Sequence, residues 1–184
     1  LTWEENRVTG EENHIWNVST SDLMGDYNLF EQKASEFLEE VGKRSVLEPD
    51  VRLGYIGVPP ICSDLYSFMG DLNVHIVFNE VQRQFSMPYK TDTLMDQYIC
   101  YTYPYEMQYH IDDIKKQIEE RKIDGIIHYV QNFCHRHIYD SLVRRNIGIP
   151  VLTLDCDRPG RLSGSMRTRI EAFIEMLKNT TNSQ

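Results

Sequence analysis

The apolar positions of this chain change rhythm near residue 50. Before it, charged and amide residues dominate, and apolar ones recur at helical spacing through LFEQKASEFLEEV, at Leu29, Phe30, Ala34, Phe37, Leu38 and Val41. Ser21 and Asp22 are placed to cap this helix, Gly42 to stop it and Pro49 to mark a boundary. After it, short apolar runs take over near 52–58, 74–79, 125–130 and 150–155: RLGYIGV, NVHIVFNE, GIIHYV and IPVLTLD. Helical stretches separate them, through Asp64, Leu65, Phe68 and Met69, through DIKKQIEERK and through HIYDSLVRRN. An amphipathic MRTRIEAFIEMLKN closes the chain. Such runs alternating with helices predict βαβ units, and runs without polar alternation predict strands covered on both faces. The expected fold is therefore α/β, a three-layer α/β/α sandwich around a mostly parallel four-stranded sheet. Right-handed crossovers predict a strand order near 2-1-3-4. Residues 1–49 read as a helical linking segment from a preceding domain, and residues 50–184 as the α/β domain. The opening LTWEENRVTGEEN lacks an initiator Met, and the chain reads as a piece of a longer polypeptide.

Ligands of open α/β sheets sit beyond the carboxyl ends of the strands. That rule places the working edge at VPPIC, NEVQRQF, QNFCHRH and DCDRPG, with the long connection DQYICYTYPY passing over it. Cys62, Cys134 and Cys156 fall on this edge, and Cys100 on the connection. In the stretch YICYTYPYEMQYH, Tyr98, Tyr101, Tyr103, Tyr105 and Tyr109 either pack a long connection on the sheet edge or form a wall over the rim.

Composition narrows the chemistry. In 184 residues, 41% are hydrophobic and 26% charged, ordinary values for a globular domain. The net charge of −9 argues against a nucleic-acid partner. Arg158, Arg161, Arg167 and Arg169 form the one basic cluster, read as a solvated face with an anionic ligand as the sharper alternative. No apolar run approaches the roughly 18 residues of a membrane span, and the chain is expected to be cytoplasmic. Four cysteines without a secretory leader do not predict a disulfide framework. They are buried small hydrophobes or ligands for zinc or an iron–sulfur cluster. No C-x-x-C spacing decides between the two. Cys156 suits the core best. Cys134 suits it least, because it ends a strand and opens a helix, where free backbone N–H groups favour a thiolate and the sulfur faces the cleft. Among the histidines, His128 belongs to a strand and either packs or bonds to a neighbour, while His135 and His137 point apart. No G-x-S-x-G, G-x-G-x-x-G or P-loop motif is present, so no catalytic residue is assigned.

The stretches RLGYIGVPP, VHIVFNE, IDDIKKQIEERKIDGIIHYVQNFCH, IGIPVLTLDCD and RTRIEAFIEML resemble, in order, the 2-hydroxyacyl-CoA dehydratase and benzoyl-CoA reductase family. The likeness is to subunits of the 2-hydroxyglutaryl-CoA dehydratase D-component kind and covers residues 50–178. It implies the second of two flavodoxin-like domains and a 4Fe-4S cluster held by three cysteines. It also implies a CoA-thioester substrate, a homologous partner subunit and an ATP-dependent activator, in anaerobic metabolism. The reaction implied is low-potential electron transfer to the thioester for radical dehydration, a lyase activity. Cys134 and Cys100 match cluster positions, and Cys62 is the better third ligand. The family's cysteine after the second strand is replaced here by the stretch around Val81, Gln82 and Arg83, and the one in the first strand-end turn by Val58. The alternatives are a non-catalytic cluster-carrying relative and an interaction domain whose thiols are structural.

Overall fold

The run RLGYIGV becomes the middle of a sheet. The computed structural model describes residues 1–100 and 107–181, apart from the side chains of residues 99, 100, 135, 136 and 181. In it β1 (Val51–Gly57) pairs in parallel with β2 (Val74–Asn79) on one side and β3 (Gly125–Val130) on the other. Beyond β3 lies β4 (Val151–Asp155), also parallel, so the order is β2-β1-β3-β4, as right-handed crossovers predict. Three strand limits move by a residue, the first being the start of β1, now Val51. Gly57, at φ +95°, ends β1 one position early, and β4 starts after Pro150, which has no N–H to donate.

Eight helices surround the sheet among the described residues: α1 (Gly10–Ser19), α2 (Tyr27–Val41), α3 (Leu65–Asp71), α4 (Glu80–Phe85), α5 (Leu94–Cys100), α6 (Met107–Arg121), α7 (Asp140–Asn146) and α8 (Gly164–Thr181). Strand alternation sorts the core into two layers. Leu53, Tyr55, Ile127, Tyr129 and Leu154 meet α3 and α8 through Leu65, Phe68, Met166, Ile170 and Phe173. Ile56, Val77, Phe78 and Ile126 meet α6 and α7 through Ile114, Val143 and Ile147. Burying each such apolar side chain contributes about 1.5–3 kcal/mol, so the three layers form because both sheet faces are apolar.

The first 49 residues lie against the edge of this sheet. Residues Asn6 to Gly10 run along β2, the outermost strand: His75 Nδ1 is 2.9 Å from Asn6 Oδ1, its Nε2 is 2.9 Å from the Val8 carbonyl, and the Asn79 amide donates to the Gly10 carbonyl at 3.0 Å. Covering an edge strand in this way blocks further pairing. Thr9 and Glu12 form a reciprocal capping box at the start of α1. The expected cap of α2 moves. Asp22 caps a 3₁₀ turn (Leu23–Gly25) instead, because Met24 and Gly25 take positive φ of 56° and 75° and interrupt the helix; Asp26 then caps α2 by accepting from the Asn28 and Leu29 amides. Phe30 and Phe37 of α2 pack on Trp16, with ring centroids 5.8 and 4.9 Å away. Leu29 and Leu38, also on the apolar stripe, stay exposed.

NEVQRQF departs from the reading of a loop on the rim. It is α4, entered directly from β2, with Glu80 to Gln84 all buried. Among the described residues no helix is long and apolar enough to cross a membrane.

Candidate functional site

Because all four strands run the same way, their carboxyl ends form one rim. Backbone bonds stitch its loops together. The Val58 amide donates to the Tyr129 carbonyl at 3.1 Å, and the Cys156 amide to the Val130 carbonyl at 3.1 Å. The Ser63 amide donates to the Gly160 carbonyl at 2.8 Å and the Gly160 amide to the Ile61 carbonyl at 3.4 Å. Cys62 and Gly160 thereby form an isolated parallel bridge between the loops that leave β1 and β4.

This stitching brings two thiols into contact. Cys62 Sγ lies 3.1 Å from Cys156 Sγ although the residues are 94 positions apart. Beneath them the Tyr129 hydroxyl donates to Cys62 Sγ at 3.4 Å and accepts from the Ile61 amide at 3.3 Å. Cys62 is buried and Cys156 half-buried, its thiol donating to the Arg158 carbonyl at 3.4 Å. Burial, reinforced by Cys156 and Asp64 and opposed by the Tyr129 hydroxyl, pushes the Cys62 thiol up to about 11. Burial likewise raises Tyr55 and Tyr129. Cys62 therefore stays protonated near neutral pH.

Beside the pair, Asp64 anchors the start of α8. It accepts from the Leu162 amide at 2.7 Å, from Arg161 at 3.2 Å and from Arg167, which also stacks over Phe68 at 4.5 Å. Burial works against its charge, but the Leu162 amide and the two guanidiniums hold its carboxyl below the usual range. Arg169 donates to the Thr153 carbonyl at 2.6 Å. Three of the four clustered arginines therefore brace backbone or Asp64, and Arg158 stands exposed.

One residue back along β3, the chemistry changes. His128 points to the other sheet face, where its Nδ1 is 2.7 Å from Asp140 Oδ1. Asp140 also accepts from Thr153 at 2.5 Å and from Arg144 Nε at 2.7 Å. Despite burial, these three donors hold its carboxyl at about 2. Burial pulls the His128 imidazole below its ordinary value more than Asp140 raises it. Nearby, His110 Nε2 is 2.7 Å from Glu80 Oε1, and the Gly57 amide donates to Glu80 Oε2 at 3.4 Å. Ile56, Gly57, Met107, His110, His128, Tyr139 and Val143 enclose about 10 Å³ between the two imidazoles. That is room for one water. The reading of His128 as a strand residue that packs or bonds to a neighbour matches Asp140. Glu80, His110 and Asp140 escaped it, because each lies on a helix whose rotation about its own axis no local pattern reveals.

Cys134 belongs to a third rim loop, the one that leaves β3. It precedes a 3₁₀ helix (His135–Tyr139) at the end of β3, half-buried, with its amide on the Gln131 carbonyl at 2.9 Å and its carbonyl on the His137 amide at 3.0 Å. Phe133 and Ile138 flank it, 81% and 76% exposed. The thiol in contact with Cys62 is that of Cys156. The side chain of Cys100 lies outside the described residues, as do Tyr101, Tyr103 and Tyr105, so the expected approach of Cys100 to Cys134 and the tyrosine wall fall there too. Tyr98 and Tyr109 are exposed. Among the described residues no three of His, Cys, Asp and Glu gather to hold a metal.

The family described as "2-hydroxyglutaryl-CoA dehydratase, D-component" matches residues 4–177. The chain is 32% identical over 69 residues to a protein of Escherichia coli (strain K12) named "Putative dehydratase subunit YjiM"; the match takes in 35% of this chain and 18% of that protein.

Proposed function

Since the chain belongs to the 2-hydroxyglutaryl-CoA dehydratase D-component family, we propose that it acts as a subunit of a 2-hydroxyacyl-CoA dehydratase system, with Cys134 contributing a ligand to a 4Fe-4S cluster at the strand-end rim. The observation that carries this reading is the position of Cys134. It lies four residues past the end of β3 inside the matched region, half-buried on a rim loop other than the two that carry the touching pair Cys62 and Cys156. When bound, such a cluster supplies low-potential electron transfer to a CoA thioester for radical dehydration. The chain's own part is to hold the thiol of Cys134 on a loop fixed by two backbone bonds and to wall the rim with the paired loops after β1 and β4. Arg158, exposed on one of these loops in a chain of net charge −9, offers positive charge to the phosphates of CoA. Exposed Phe133 and Ile138 beside Cys134 support a homologous partner subunit covering the rim. The remaining ligands are assigned to Cys100 and to Cys62, the latter only if it parts from Cys156. Electron delivery is assigned to an ATP-dependent activator, in the cytoplasm.

The test is iron and sulfide content of the polypeptide prepared without oxygen, wild type against Cys134→Ala. The expected result is iron falling below about a tenth of wild type. Unchanged iron reduces Cys134 to a packing thiol. Absence of iron from the wild type as well turns the reading toward an interaction domain with structural thiols.

A further inference from the structure

Two sulfurs 3.1 Å apart are closer than two thiolates sharing one tetrahedral zinc, which its ~2.3 Å bonds would hold about 3.8 Å apart. A disulfide needs about 2.05 Å, so roughly one ångström of approach separates the pair from a covalent bond. The two loops are already held together, because Cys62 is bridged to Gly160 and the Ser63 amide donates to the Gly160 carbonyl. We propose that Cys62 and Cys156 are a reversible modification site, a dithiol that closes to a disulfide by exchange with a small disulfide such as oxidised glutathione. The site goes beyond the cluster reading and competes with it only for Cys62.

Exposure sets the order of events. Cys156 is half-buried on a loop whose Arg158 and Arg161 are exposed cations, suited to an anionic small disulfide, whereas Cys62 lies 5% exposed beneath it. The Cys156 thiolate attacks one sulfur of the incoming disulfide. A mixed disulfide forms and one small thiolate leaves. Cys62 then gives up its proton to solvent and its sulfur attacks the Cys156 sulfur, forming the Cys62–Cys156 bond and expelling the second small thiolate. The protein loses two hydrogens, and the small disulfide is reduced to two thiols. The product joins the loop after β1 to the loop after β4 across β3, closing 94 positions of sequence. Cys134, elsewhere on the rim, takes no part.

The experiment equilibrates the reduced chain, without oxygen, in graded mixtures of reduced and oxidised glutathione, then alkylates it and maps its peptides by mass spectrometry. The expected result is one linked peptide pair carrying Cys62 and Cys156, lighter by two hydrogens, with a melting temperature about 10 °C higher that a reductant reverses. Cys156→Ser, a change at the more accessible position, should abolish the link and the thermal shift, and Cys134→Ser should leave both. Stable glutathione on Cys156 without a linked pair overturns the proposal. So does full alkylation of both thiols in every mixture, or a link that runs to Cys134. Iron content of the Cys134 variant decides the cluster reading separately, so either inference fails without the other.

Discussion

Tyr129 and His128 are neighbours in one strand, yet they serve two different chemistries. On the Tyr129 face, phenols and the Cys62 thiol are buried together, and burial raises Tyr55, Cys62 and Tyr129 alike. The phenols and the Cys62 thiol there are kept protonated, while Asp64 beside them is held charged by the Leu162 amide, Arg161 and Arg167. On the His128 face, fixed partners surround the ionisable groups: Asp140 has three donors, and Glu80 has the Gly57 amide and His110. Asp140 stays charged there because its donors outweigh burial. The two environments back onto each other at Gly57, whose amide points to Glu80 while its α-carbon sits against the Tyr129 carbonyl. The same rim thus buries Cys62 and Tyr129 in protonated form on one side and holds His128 against a charged Asp140 on the other, and the two-residue period of β3 separates them.

The sharpest way to break this division is Gly57→Ala. A Cβ there would lie 2.1 Å from the Tyr129 carbonyl oxygen, on a residue at φ +95°. We expect a loss of about 3 kcal/mol or more in urea unfolding, from strain plus displacement of β3. A loss under about 1 kcal/mol would show that the boundary is soft. His110→Ala comes next. It removes the imidazole beside a fully buried carboxylate, and about 2–3 kcal/mol should go with it. Stability unchanged by that variant would mean the Glu80–His110 contact contributes nothing net.

A pH titration separates the two sides more gently. Burial holds His128, His14 and His75 below the ordinary histidine value of 6.5, so the unfolded chain takes up protons first as the pH falls. Their contribution is therefore complete above about 6.5 and is lost progressively below it. A second loss should start below about 3.8 and run toward 2, as Asp140 is protonated. Urea midpoints across this range should show both slopes, and His128→Gln should flatten the first. A slope that ignores this substitution removes His128 from the account.

The thiols give the smallest effects. Cys62→Ala empties a core position and takes the acceptor from the Tyr129 hydroxyl, a cost of about 1–2 kcal/mol under reducing conditions. Cys134→Ala should stay within about 0.5 kcal/mol, since it is half-buried on a loop. Equal losses by thermal or urea unfolding would contradict the different settings of the two residues.

What the sequence by itself determined is what repeats locally. Apolar runs such as GIIHYV and IPVLTLD, set between helices, specified parallel strands with both faces covered, and the crossover rule specified their order. Cys62, Cys134 and Cys156 could be placed on the rim because a residue just past a parallel strand has nowhere else to be. Only the tertiary structure decided which thiols meet. Cys62 and Cys156 are brought together by the pairing of two loops that are distant in sequence, and that pairing follows from how β1, β3 and β4 lie side by side. The contacts of His128 with Asp140 and of Glu80 with His110 depend in the same way on how α4, α6 and α7 are rotated against the sheet. Periodicity reports which face of an element is apolar; it carries no record of the partner across a gap of dozens of residues, and at this rim the chemistry lies in those partners.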